Sequence, residues 1–77
     1  MFEEIKRLLV ECANVSEDDI KPESHLKKDL GIDSLYAVEL TLQLEEYYHI
    51  SIDWEEMHDV VYVKDVVALV EKKVGSK

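Results

Sequence analysis

Apolar residues recur along the first dozen positions at intervals of three and four. Phe2, Ile5, Leu8, Leu9 and Cys12 share one stripe, while Glu3, Glu4, Lys6, Arg7 and Glu11 lie opposite. That period is helical and predicts an amphipathic helix over Phe2–Ala13. From Asn14 to Asp33 the pattern loosens into polar turn-formers around the only proline, Pro22, with Val15, Ile20, Leu26, Leu30 and Ile32 available to pin the chain. Ser16, followed by Glu17, Asp18 and Asp19, is placed to cap one short turn. A connection of this length is unusual in so short a chain, and such connections tend to carry function.

A second helix is expected to begin at Asp33 or Ser34, after a turn at Gly31, and to run to about Tyr48. It carries two apolar faces. Ala37, Leu40, Leu44 and Tyr48 form one, and Leu35, Val38 and Leu42 form its neighbour. A core needs only one face. The second, bordered by Glu39, Glu45 and Glu46, is expected to meet a partner or to line an apolar pocket unless a crowded bundle buries it. Ile50-Ser51-Ile52 alternates but has no second strand to pair with, so it reads as an extended connector and no sheet is expected. Asp53 can cap a brief helix, Trp54 to His58, and a last helix runs from Val63 to Val74, closing before Gly75. In that last helix Val63, Val66, Val67, Val70 and Val74 face inward. The fold class is therefore all-α, a small antiparallel bundle of three longer helices and one short helix with a long first loop, forming one domain over residues 1–77.

Charge sharpens this picture. The net charge is −9, yet between Asp29 and Val63 there is no lysine or arginine, while nine carboxylates fall there. The whole excess belongs to the middle of the chain. This argues against nucleic acid and anionic membranes and for protein partners that present lysine and arginine, although a solvated acidic face kept for solubility would look the same. No apolar run approaches the roughly 20 residues that span a bilayer, and the start lacks a signal-peptide layout, so a cytoplasmic location is the expectation. Cys12 is the only cysteine and falls on the core stripe, which assigns it to packing rather than redox chemistry.

The chain offers little chemistry of its own. His25, His49 and His58 lack metal-site spacing, the acids do not follow a calcium-loop pattern, and two glycines cannot build a phosphate loop. Neither a metal site nor a catalytic residue is expected. Ser34 stands out: it follows a glycine turn and an aspartate, opens a helix and ends the long loop in an acidic region. A serine so placed is ordinarily an N-cap, and nothing at identifiable spacing offers it a base or oxyanion donors. Any reaction at Ser34 must be supplied by another enzyme.

The stretch from Asp29 to Ile52, DLGIDSLYAVELTLQLEEYYHISI, closely resembles the modification-site region of acyl carrier proteins. The motif Gly-x-Asp-Ser-Leu, followed by Val38-Glu39-Leu40 and then Leu44-Glu45-Glu46, carries the likeness. Leu26 before Asp29-Leu30-Gly31 and Val63-Lys64-Asp65-Val66 extend it over nearly the whole chain. The resemblance implies that Ser34 receives 4'-phosphopantetheine from coenzyme A through a separate phosphopantetheinyl transferase. It implies acyl cargo held as a thioester for synthase and acyl-transferring enzymes with basic patches. It also implies that Asp33, Leu35, Val38, Glu39, Leu42, Glu45 and Glu46 form the partner-facing side of the second helix on a monomeric carrier. Leu40, Leu44, Ile52, Val60 and Tyr62 are candidates to line an acyl pocket, a role that core packing explains equally well. Two departures stand out: Tyr36 sits where fatty-acid carriers commonly have an aspartate, and Lys27 with Lys28 places positive charge where that loop is often acidic. An aminoacyl or peptidyl carrier, and an unmodified acidic adaptor that would not need Ser34, remain the alternatives.

Overall fold

The computed structural model describes residues 1–75 and is helical, with no strand among those residues. The last two positions of the expected 1–77 domain lie outside the described residues. Helix α1 spans Phe2–Ala13, a 3-10 turn covers Glu17–Asp19, α2 spans Ser34–Tyr48, α3 Trp54–His58 and α4 Val63–Gly75. The expected helices all form, except that α4 includes Gly75 instead of stopping before it. The short turn forms as well, but the Ser16 side chain makes no capping hydrogen bond.

Helix α2 occupies the middle of the bundle and touches α1, α3 and α4. The α1 stripe contributes buried Ile5, Leu9 and Cys12, α4 contributes Val63, Val66 and Val70, and α2 contributes Leu40 and Leu44 between them. Thr41 is also buried there, its hydroxyl donating to the Ala37 carbonyl at 2.7 Å, which satisfies a polar group that would otherwise be costly to bury. Both α1 and α2 end on left-handed residues, Asn14 and His49, whose N–H groups close onto the carbonyls of Val10 and Glu45.

The long loop is far from slack. Ile20, Leu26, Leu30 and Ile32 are buried, and its backbone is tied to the segment before α4. Leu26 N–H donates to the Val61 carbonyl at 2.9 Å, and Val63 N–H donates to the Ser24 carbonyl at 3.0 Å. These contacts make a single antiparallel bridge, His25 to Tyr62, with the two rings edge to face. One bridge is not a sheet, so the expectation of no sheet stands, and Ile50-Ser51-Ile52 takes no part in the pairing.

With five residues, α3 is too short to persist alone and depends on its neighbours. Met57 anchors it in the core. Glu56 Oε1 accepts the Asp53 N–H at 3.1 Å and pairs with Lys73 Nζ of α4 at 2.7 Å. That lysine, with the backbone bond, holds the Glu56 carboxyl below its ordinary value. The connector before α3 is fixed from α2, where Glu45 Oε2 accepts the Ile52 N–H at 2.9 Å.

Candidate functional site

Ser34 is the first residue of α2 and is exposed. The capping role falls to its neighbour: Asp33 Oδ1 accepts the Leu35 N–H at 3.1 Å and the Tyr36 N–H at 3.2 Å. Among the described residues no hydrogen bond engages the Ser34 hydroxyl. Sequence leaves Asp33 and Ser34 equivalent as caps, because both residue types suit that position. The structure separates them, leaving the serine oxygen uncommitted at the positive end of a helix dipole, where an added phosphate group is electrostatically favoured.

Beside Ser34 lies a cleft of about 360 Å³. Its wall is apolar, from Leu26, Ile32, Ala37, Leu40, Met57 and Val60, and polar groups of His25, Lys27 and His58 stand around it with Trp54. Of the candidate lining residues, Leu40 and Val60 are here. Leu44 and Ile52 are buried in the core instead, and Tyr62 is not part of the lining but meets the lining residue His25 edge to face. Sequence periodicity assigns a residue to a face but not to a depth, which is why core and lining were not separable. Trp54, Met57 and His58 were missed as lining, because a five-residue helix is too short for periodicity to mark which side faces the cleft.

The second apolar face of α2 is open to solvent: Leu35 is 76% exposed, Leu42 60% and Val38 43%. Complete burial in a crowded bundle is thus excluded. Glu39 and Glu46 are exposed near this face, whereas Glu45 is half-buried with one oxygen spent on the Ile52 N–H. Helix α2 has no acid in its first turn, where Tyr36 lies partly exposed. The result is an apolar strip running back from Ser34, with free carboxylates only from Glu39 onward.

Cys12 lies on the far side of this helix's backbone, with its thiol 3.6 Å from the Tyr36 carbonyl. Burial, and secondarily Glu39, push that thiol above its ordinary value. It should therefore label slowly with iodoacetamide in the native protein and rapidly in denaturant. Any exposed thiol added to the protein is expected to appear as one new fast-reacting group, which counting of labels by mass will detect.

A helix opening on an exposed serine, an apolar cleft at its side and an acid-bordered apolar face thus lie together on one region of the bundle. The family described as a phosphopantetheine attachment site matches residues 3–70. The chain is 46% identical over 70 residues to an acyl carrier protein of Helicobacter hepaticus, covering 91% of this chain and 92% of the relative. It is 44% identical over 71 residues to one of Wolinella succinogenes, covering 92% and 93%. Among solved structures, one assigned as an acyl carrier protein from Mycobacterium tuberculosis superposes with a TM-score of 0.86 at 27% identity, covering 92% of this chain and 95% of that one. The chain belongs to the acyl carrier protein family.

The group this family carries is 4'-phosphopantetheine, and the residues present fit it. The oxygen at the head of α2 is exposed and uncommitted, and the neighbouring cleft offers apolar wall and polar rim to a chain attached there. Such proteins carry acyl groups and are not catalysts. No helix of the described residues is long and apolar enough to cross a membrane, and no cluster of metal-ligating side chains occurs among them.

Proposed function

We propose that Ser34 is the attachment point of the arm, and that the 77 residues act as one monomeric carrier domain delivering acyl thioesters to enzymes of fatty-acid or polyketide-type synthesis. The observation that carries this is the uncommitted Ser34 hydroxyl on the first residue of α2, with Asp33 doing the capping. Attachment forms a bond between Ser34 Oγ and the pantetheine phosphorus of coenzyme A as the pyrophosphate linkage breaks. Adenosine bisphosphate leaves, and the serine proton passes to a base on the transferase, which also holds the magnesium. This chain contributes an accessible nucleophile and a helix end that favours the new negative charge.

Partner enzymes in this reading meet Leu35, Val38 and Leu42 with apolar side chains, and meet Glu39 and Glu46 with lysine or arginine. Exposed charges at an interface rim raise encounter rates more than residence, which suits a carrier that must visit several enzymes and leave each. Asp33 and Glu45 support that surface with one carboxylate oxygen each engaged inside the protein. A cytoplasmic place of action belongs to the same reading, since coenzyme A is the donor. Incubation with coenzyme A, magnesium and a broad-specificity phosphopantetheinyl transferase is expected to add the mass of one arm, and fragment spectra should place it on Ser34. A full set of transferases that adds no mass would sink the proposal.

A further inference from the structure

The long first connection places a cation on the cleft beside the serine. Lys27 lines the same cleft as Ser34. It sits on a backbone turn that hydrogen bonds hold in shape: Gly31 N–H donates to the Lys27 carbonyl at 3.1 Å, Asp29 N–H donates to the His25 carbonyl at 2.9 Å, and His25 N–H donates to Asp29 Oδ2 at 2.7 Å. Gly31 closes the turn at φ +67, a conformation that a side chain would strain. Ile32 N–H then returns to the Leu26 carbonyl at 2.8 Å, bringing the turn against the start of α2.

Lys27 is exposed and has no ion-pair partner among the described residues. The one carboxylate in the cleft wall, Asp33, has Oδ1 committed to two backbone N–H groups. In a chain of net charge −9, this cleft is thus a place where the one lysine balances the one carboxylate, leaving no acidic excess around Ser34. A lysine is a point charge on a flexible four-carbon stem, able to follow an anion introduced nearby. We infer that Lys27 is the counter-ion of the phosphodiester on Ser34, so that attachment of the arm ties the first loop to the head of α2. This rests on Ser34 being the attachment point.

The test compares apo and loaded forms of the parent, Lys27→Gln and Lys27→Glu, with Lys28→Gln as a control because Lys28 does not line the cleft. Intact mass first establishes complete loading of each. Thermal unfolding of the parent is expected to rise on loading by about 2–4 °C at low salt, and by less at high salt. The rise should persist in Lys28→Gln, shrink in Lys27→Gln and reverse in Lys27→Glu, and the phosphorus resonance should move only in the Lys27 variants. Equal increments in all four loaded proteins, with an unmoved resonance, would overturn the role of Lys27 and leave the carrier reading intact. Failure of the parent itself to gain mass would overturn the carrier reading and this inference together.

Discussion

Replacing Ser34 with alanine is expected to abolish arm attachment while leaving the fold unchanged. The hydroxyl is the only atom group removed, and it makes no hydrogen bond among the described residues, so the folded state loses nothing that the unfolded state keeps. Alanine is also a better helix former than serine at an exposed helical position. Stability should therefore stay within about 0.5 kcal/mol of the parent. Asp33→Ala makes the reciprocal case: it strips a carboxylate that caps two N–H groups and is expected to cost about 1 kcal/mol while the serine nucleophile remains. Intact mass after transferase treatment and thermal unfolding, measured on both variants, separate the two roles. Had Ser34 been the cap, its alanine variant would lose stability as well as loading.

That ambiguity at Asp33 and Ser34 shows where sequence reasoning stopped. Helix α1 and helix α4 were legible because each has one apolar stripe at a period close to 3.6, and their buried residues fall on it. Helix α2 was legible as a helix, but its two apolar faces do not say which one the core takes. The choice depends on α1 and α4 closing over Leu40 and Leu44, and that is tertiary information. The same holds for the cleft. Leu44 and Ile52 satisfy any pattern for a lining residue, yet they are covered, while Trp54 and His58 reach the cleft from a helix too short to give a periodic signal. The ties that position α3, Glu45 to the Ile52 N–H and Glu56 to Lys73, span up to 17 residues and leave no local trace. Nor does the His25–Tyr62 bridge, which lies in segments without strand alternation. What the residues did carry was the family: Gly-Ile-Asp-Ser-Leu and the acid-bordered helix following it fall inside the matched residues 3–70.

Two leucines separated by one residue on α2 should respond to truncation in opposite ways. Leu44 is fully buried, packed where α2 meets the rest of the bundle, and Leu44→Ala removes three carbons from a close-packed interior. Such changes cost about 2–5 kcal/mol through lost transfer energy and the residual cavity. A chain of 77 residues has a total stability on the order of 4–12 kcal/mol, so this variant should unfold at least 10 °C lower and be partly unfolded near body temperature. Leu42, at 60% exposure, has little burial to lose, and Leu42→Ala should unfold within a few degrees of the parent. Its effect is expected in function. In the proposed interface that side chain becomes buried only when a partner covers it, and losing its apolar area should lower kcat/KM for transferase loading or acyl transfer by about tenfold. Thermal unfolding by circular dichroism and loading kinetics on both variants decide the matter. If Leu42→Ala instead unfolds as readily as Leu44→Ala, the second face of α2 belongs to the core; if it loads and transfers at the parent rate, partners dock elsewhere. The helix carries more apolar surface than the core uses, and folding leaves Leu35, Val38 and Leu42 open to solvent.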